Sequence, residues 1–95
     1  MRSENKALTV STGVVYLLKA GPHYKIGKTN NMSRRLTELK IQLPFPVQLV
    51  HKIHTENMSN VERIWHKQFA NKRRNGEWFA LTDSDVAQFK KQFRL

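Results

Sequence analysis

The sequence predicts an α/β (α+β) fold in which a small, three-stranded, mainly antiparallel sheet is flanked by helices. Three observations predict it. Strand-type and helix-type apolar spacings follow one another in the order β-β-α-β-α-(β)-α. Hydrophobic types make up 39% of 95 residues, the make-up of one small globular domain. Cysteine is absent, so packing rather than disulfides or thiolate zinc sites must hold the fold.

Residues 1–12 are polar without a sustained period and are expected to be a flexible lead-in, with a single domain over 13–95. Val14-Val15-Tyr16-Leu17-Leu18, the turn residues Ala20-Gly21-Pro22-His23 and the short Tyr24-Lys25-Ile26-Gly27 spell a β-hairpin. Met32, Leu36 and Leu39 fall at helical spacing between Asn30 and Ile41, with Asn30 or Asn31 as the cap. Leu43-Pro44-Phe45-Pro46 stops that helix, and Val47 to His54 alternate as a third strand. A second helix starts at a Ser59 or Asn60 cap, carries Val61, Ile64, Trp65 and Phe69 on one face, and ends near Ala70 to Lys72. Arg73-Arg74-Asn75-Gly76 is a basic turn, and Glu77 to Leu81 is a short apolar segment. Thr82-x-x-Asp85 is a capping-box spacing ahead of a last helix with Val86, Phe89 and Phe93 inward.

Seventeen Lys+Arg against seven Asp+Glu leave a net charge of +10, the footprint of a phosphate-rich partner, with nucleic acid ahead of a membrane surface. The longest apolar run, Val14 to Leu18, is far short of the roughly 20 residues of a membrane span, and no apolar signal core follows Glu4 and Lys6. A cytoplasmic, non-secreted protein is therefore expected. The carboxylates are Glu4, Glu38, Glu56, Glu62, Glu77, Asp83 and Asp85, too scattered to promise a two-metal centre. Any metal is expected on one protein carboxylate plus water.

Two basic clusters stand out: Lys25, Lys28, Arg34 and Arg35, then Lys67, Lys72, Arg73 and Arg74. They are either two solvated faces or the walls of a phosphate-tracking groove. Glu62 lies at the edge of the apolar stripe of its helix, with His66 one turn later; the bland explanation is a glutamate placed early in a helix to suit the macrodipole. His51 and His54 fall on opposite faces of one strand and cannot share an ion. They are expected to be structural or to face phosphate. Glu38 is the i, i+4 partner of Arg34, Asp83 and Asp85 start a helix, and Glu77 is expected to fix the turn that packs Trp78 and Phe79 ahead of a catalytic role.

Taken in order, Val14-Val15-Tyr16, Tyr24-Lys25-Ile26-Gly27-Lys28-Thr29, Arg35 within NNMSRRL, Glu62 within VERIWHKQF and the NGEWF of Asn75 to Phe79 resemble the GIY-YIG nuclease superfamily, in particular its short phage-type branch with a YKIGKT second strand. That resemblance implies a metal-dependent DNA endonuclease that hydrolyses phosphodiesters with one divalent cation, Mg2+ or Mn2+. It implies that Glu62 binds the cation, Arg35 stabilises charge on the phosphate, and Tyr16 orients or deprotonates the attacking water. Lys25 stands where the superfamily has its second tyrosine, so Lys25 contacts phosphate or eases loss of the tyrosine proton while Tyr24 is core, unless a bulge brings Tyr24 to the site. Lys28, Arg34, His66, Lys72, Arg73, Arg74 and Asn75 are the expected nucleic-acid contacts, on DNA rather than RNA. With no separate DNA-reading domain in 95 residues, target choice falls to a homodimer, a partner subunit or DNA structure. The alternative function is a non-catalytic nucleic-acid-binding module that retains the fold.

Overall fold

The computed structural model describes residues 12–95; of the expected lead-in over residues 1–12, residues 1–11 lie outside the described residues. Strands β1 (Gly13–Ala20) and β2 (His23–Thr29) form the predicted hairpin, turning through Gly21 at φ +60°. Strand β3 (Gln48–Thr55) pairs with the other side of β1, also antiparallel. The sheet does not stop at three strands. The stretch expected to be a basic turn is β4 (Arg73–Asn75), and β5 (Trp78–Phe79) pairs with both β4 and β2, giving the order β3-β1-β2-β5-β4. The physical reason is Gly76, whose φ of +57° lets the chain reverse within two residues so that Asn75 faces Trp78 across a hairpin.

Three helices cover the sheet. Helix α1 (Met32–Gln42) is capped by Asn31. Helix α2 (Met58–Gln68) is capped by Asn57 rather than by Ser59 or Asn60, and a 3-10 turn (Ala70–Lys72) follows it. Helix α3 (Asp83–Lys90) begins with the predicted Thr82/Asp85 capping box. The earlier start of α2 puts Glu62 beyond the first helical turn, which removes the macrodipole as the reason for its position.

Strand alternation sorts β1 between two cores. Tyr16 and Leu18 pack with Leu39 of α1 on one face; Val15 and Leu17 pack with Val61, Trp65 and Phe69 of the α2 segment and Phe89 of α3 on the other. Because both faces are covered, β1 reads as an unbroken apolar run. Two expected core residues lie outside. Ile64 is 49% exposed: on a wheel of about 100° per residue it sits about 100° from the centre of the Val61/Trp65/Phe69 stripe, whereas Glu62 sits about 60° from it. Phe93 is 69% exposed because α3 ends at Lys90. Residues 93–95 instead run along the edge of β3, with His54 N–H donating to Phe93 O at 2.9 Å and Leu95 N–H to His54 O at 2.8 Å. His51 is structural, its Nε2 bonded to Gln92 O at 2.6 Å and its ring set edge-on to Phe89 and Phe93.

Asp85 ties α3 to the turn before β4: one carboxylate oxygen accepts from Lys72 Nζ at 2.5 Å and from Thr82 N–H at 2.9 Å. Burial pushes this carboxyl up, but the bonds from Lys72 and Thr82 outweigh it, and the group titrates below its ordinary value of 3.8. A depressed carboxyl stabilises the fold above its unfolded value and loses that contribution as pH falls through the folded one. Asp85→Ala should therefore cost about 1–2 kcal/mol at pH 7, and the gap from wild type should close on acidification below pH 3.8. Urea melts of both proteins across pH 7 to 3 check this; a constant gap would contradict it.

Candidate functional site

Four consecutive residues of β2, Lys25 to Lys28, gather the chemistry-bearing side chains. Gly27 lies directly across from Tyr16. A Cβ on Gly27 would fall on the Tyr16 hydroxyl, so the phenol rests across β2 only because that residue has no side chain. From α1, Arg35 donates through Nε to the phenol oxygen at 3.5 Å and through NH1 to Glu38 at 3.3 Å. The bond to Tyr16 raises the Arg35 pKa further despite the cost of burial, so the guanidinium keeps its charge beside the phenol.

On the opposite face of β2, Lys28 Nζ donates to Glu62 Oε1 at 3.0 Å. Glu62 is 8% exposed, and its Oε2 has no hydrogen-bond partner among the described residues. An idle oxygen on a buried carboxylate is costly in isolation and calls for a ligand. Between these two positions, Ile26 O accepts from His66 Nε2 at 2.8 Å, and His66 Nδ1 lies 2.7 Å from an Arg73 guanidinium nitrogen. A carbonyl can only accept and a guanidinium can only donate, which fixes His66 as the neutral Nε2–H tautomer. Lys25 Nζ donates to Glu77 Oε1 at 2.8 Å and stands over the Trp78 ring. Lys25 shares the Tyr16 face of the sheet while Tyr24 is core, with no bulge in the β1–β2 pairing.

Glu62, His66 and Glu77 thus meet, their ligating atoms all within 4.8 Å of one another. Carboxylates that look scattered along the chain converge here because β5 docks against β2 and carries Glu77 back to α2. His66 has both ring nitrogens engaged, so the donors open to a hard divalent cation are carboxylate oxygens, Glu62 Oε2 foremost. The sequence places the packing role of Glu77 ahead of a catalytic one. Its signal is tertiary, since nothing in the spacing from Glu62 announces a contact across two elements.

The remaining expected contacts divide. Arg73 joins the site through His66, whereas Lys72 is turned to Asp85 and Arg34 to Glu38 at 3.9 Å. Arg74 and Asn75 line a separate groove with Trp78. The first basic cluster is substantially neutralised, since Lys25, Lys28 and Arg35 each face a glutamate.

Gly27→Ala should destabilise the domain by about 1–3 kcal/mol, because the methyl strikes the phenol head. Adding Tyr16→Phe, which deletes the struck hydroxyl, should recover part of that loss in a double-mutant cycle of urea midpoints. Strictly additive losses would place the phenol elsewhere.

Among the described residues no helix is long and apolar enough to cross a membrane. No curated protein and no solved structure matches the chain. A family model does, that of the T5orf172 domain, over residues 13–94. That span takes in the five strands and three helices of the described residues and the whole Lys25–Lys28 constellation, and the chain belongs to the T5orf172 domain family, a phage-associated, nuclease-related group.

Proposed function

We propose that this protein is a metal-dependent DNA endonuclease of GIY-YIG type, hydrolysing phosphodiester bonds at the site built on Lys25 to Lys28. The observation that carries this reading is the pairing, on neighbouring residues of one strand, of a phenol held by a guanidinium with a buried carboxylate that keeps one oxygen idle. The family membership supports a nuclease-related role, and the net charge of +10 supports a nucleic-acid partner.

In this mechanism Glu62 Oε2 holds a divalent cation, Mg2+ or Mn2+, which when bound neutralises charge on the scissile phosphate. Lys28 holds Glu62 through Oε1 and so aims its carboxylate, and the lysine ammonium faces solvent enough to reach a phosphate oxygen. Arg35 offers the phosphate a planar fork while its Nε holds the Tyr16 hydroxyl. The phenol oxygen accepts a hydrogen bond from the attacking water and so turns the water's lone pair towards phosphorus. As the new P–O bond forms, the opposite ester P–O bond breaks; the attacking water loses its proton to bulk water, and the departing ester oxygen takes one from bulk water. Lys25 takes the place of the second tyrosine: with Glu77 as counter-ion it presents an ammonium on the Tyr16 face. His66, locked neutral, positions Arg73 at the same edge.

Glu62→Ala should abolish plasmid nicking in magnesium while duplex affinity stays equal or rises, since a negative charge leaves a basic surface. Arg35→Ala should lower nicking by about 10²–10³-fold, the range for loss of one charge-stabilising donor. Equal nicking by wild type and Glu62→Ala would overturn the assignment. Undiminished binding with no cutting by wild type would leave the non-catalytic binding module as the function.

A further inference from the structure

A second feature lies on the Tyr16 face of the sheet, outside the constellation described above. Phe45 and Trp78 line one groove with His23, Arg74 and Asn75. Phe45 is 46% exposed, and Pro44 and Pro46 on either side restrict its backbone, so an aromatic ring is held in solvent at little entropic cost. Trp78 is half-buried, and Lys25 stands over its ring. Arg74 is exposed and has no acidic partner among the described residues, unlike Lys25, Lys28, Arg34, Arg35 and Lys72. A groove that combines two rings with an unneutralised guanidinium matches an aromatic face plus a phosphate, the two parts of a nucleotide.

We propose, resting on the nuclease reading, that this groove binds an unpaired nucleotide of the substrate, its base stacked against Phe45 and Trp78 and its phosphate met by Arg74. Within a duplex the base faces are hidden in the stack, so the groove selects nucleic acid with a single-stranded segment. His23 in the groove and Gly27 beneath the phenol lie four residues apart on β2, a span of about 13 Å. The seated base therefore sets how far from the unpaired segment the strand is cut.

The test measures fluorescence anisotropy of a labelled 15-residue oligothymidine and of a blunt duplex, in chelator and at one fixed salt concentration, with wild type and Phe45→Ala. Phe45→Ala should weaken oligothymidine binding by about tenfold or more and change duplex binding by less than about twofold, because phosphate contacts elsewhere are untouched. Circular dichroism should show the wild-type fold, since Phe45 is outside the core. An unchanged oligothymidine affinity, or equal losses on both ligands, overturns the stacking groove and leaves the nuclease reading standing. A concentration-dependent dimer that Phe45→Ala dissolves gives the groove to a second copy and also overturns it. Failure of wild type to bind either nucleic acid overturns the nuclease reading itself.

Discussion

The close approach of the Tyr16 phenol to Gly27 is the constraint on which the site depends. The β1–β2 register places these two residues opposite one another, and the absence of a side chain on Gly27 lets the phenol lie across the strand. Alternation then does the rest: Lys25 shares the phenol's face, Lys28 takes the other, and the Ile26 backbone at the edge holds His66 and the start of β5. A shift of register by one residue would put a bulky side chain under the phenol and exchange the faces of both lysines. Hairpin geometry, helix docking and site chemistry are thus one requirement.

Charge is distributed in two ways on this molecule. Around the constellation Lys25 is paired with Glu77 and Lys28 with Glu62, Arg35 shares Glu38 with Arg34, and Arg73 meets the His66 ring, so most of the local positive charge has a carboxylate beside it. The long-range attraction for phosphate comes instead from the excess of Lys+Arg over Asp+Glu elsewhere on the chain, of which Arg74 is one member. The Lys28–Glu62 pair engages one carboxylate oxygen and leaves Oε2 without a partner among the described residues, so the negative charge of Glu62 is only half covered by its lysine.

Much of this was legible in the sequence where local chemistry decides. The hairpin, a cap at Asn30 or Asn31 and the Thr82/Asp85 capping box are written in turn residues and caps. The family resemblance puts Lys25 at the second-tyrosine position but leaves room for Tyr24 through a bulge, and the regular β1–β2 pairing sets Lys25 on the Tyr16 face. What was not legible depends on partners distant in the chain. Strands β4 and β5 are too short to show a period, and only the conformation of Gly76 makes them a hairpin. Asn57 looks no better a cap than Ser59 or Asn60 until the end of β3 fixes where the helix begins. Glu77 reads as a turn residue because its two partners, Lys25 and the Glu62/His66 pair, belong to other elements. Ile64 was expected inside because hydrophobicity was weighed above angle, whereas the inward position belongs to a glutamate that has a lysine to meet there.

The claim that these groups form one cation-holding site is tested most directly by titrating Mn2+ into the isotopically labelled protein and following paramagnetic broadening of its amide resonances. Resonances of Gly27, Lys28, Glu62, His66 and Glu77 should vanish first, with those around Asp83 and Asp85 persisting to much higher metal concentration. Broadening centred on α3, or spread evenly over the surface, would contradict a site organised by β2.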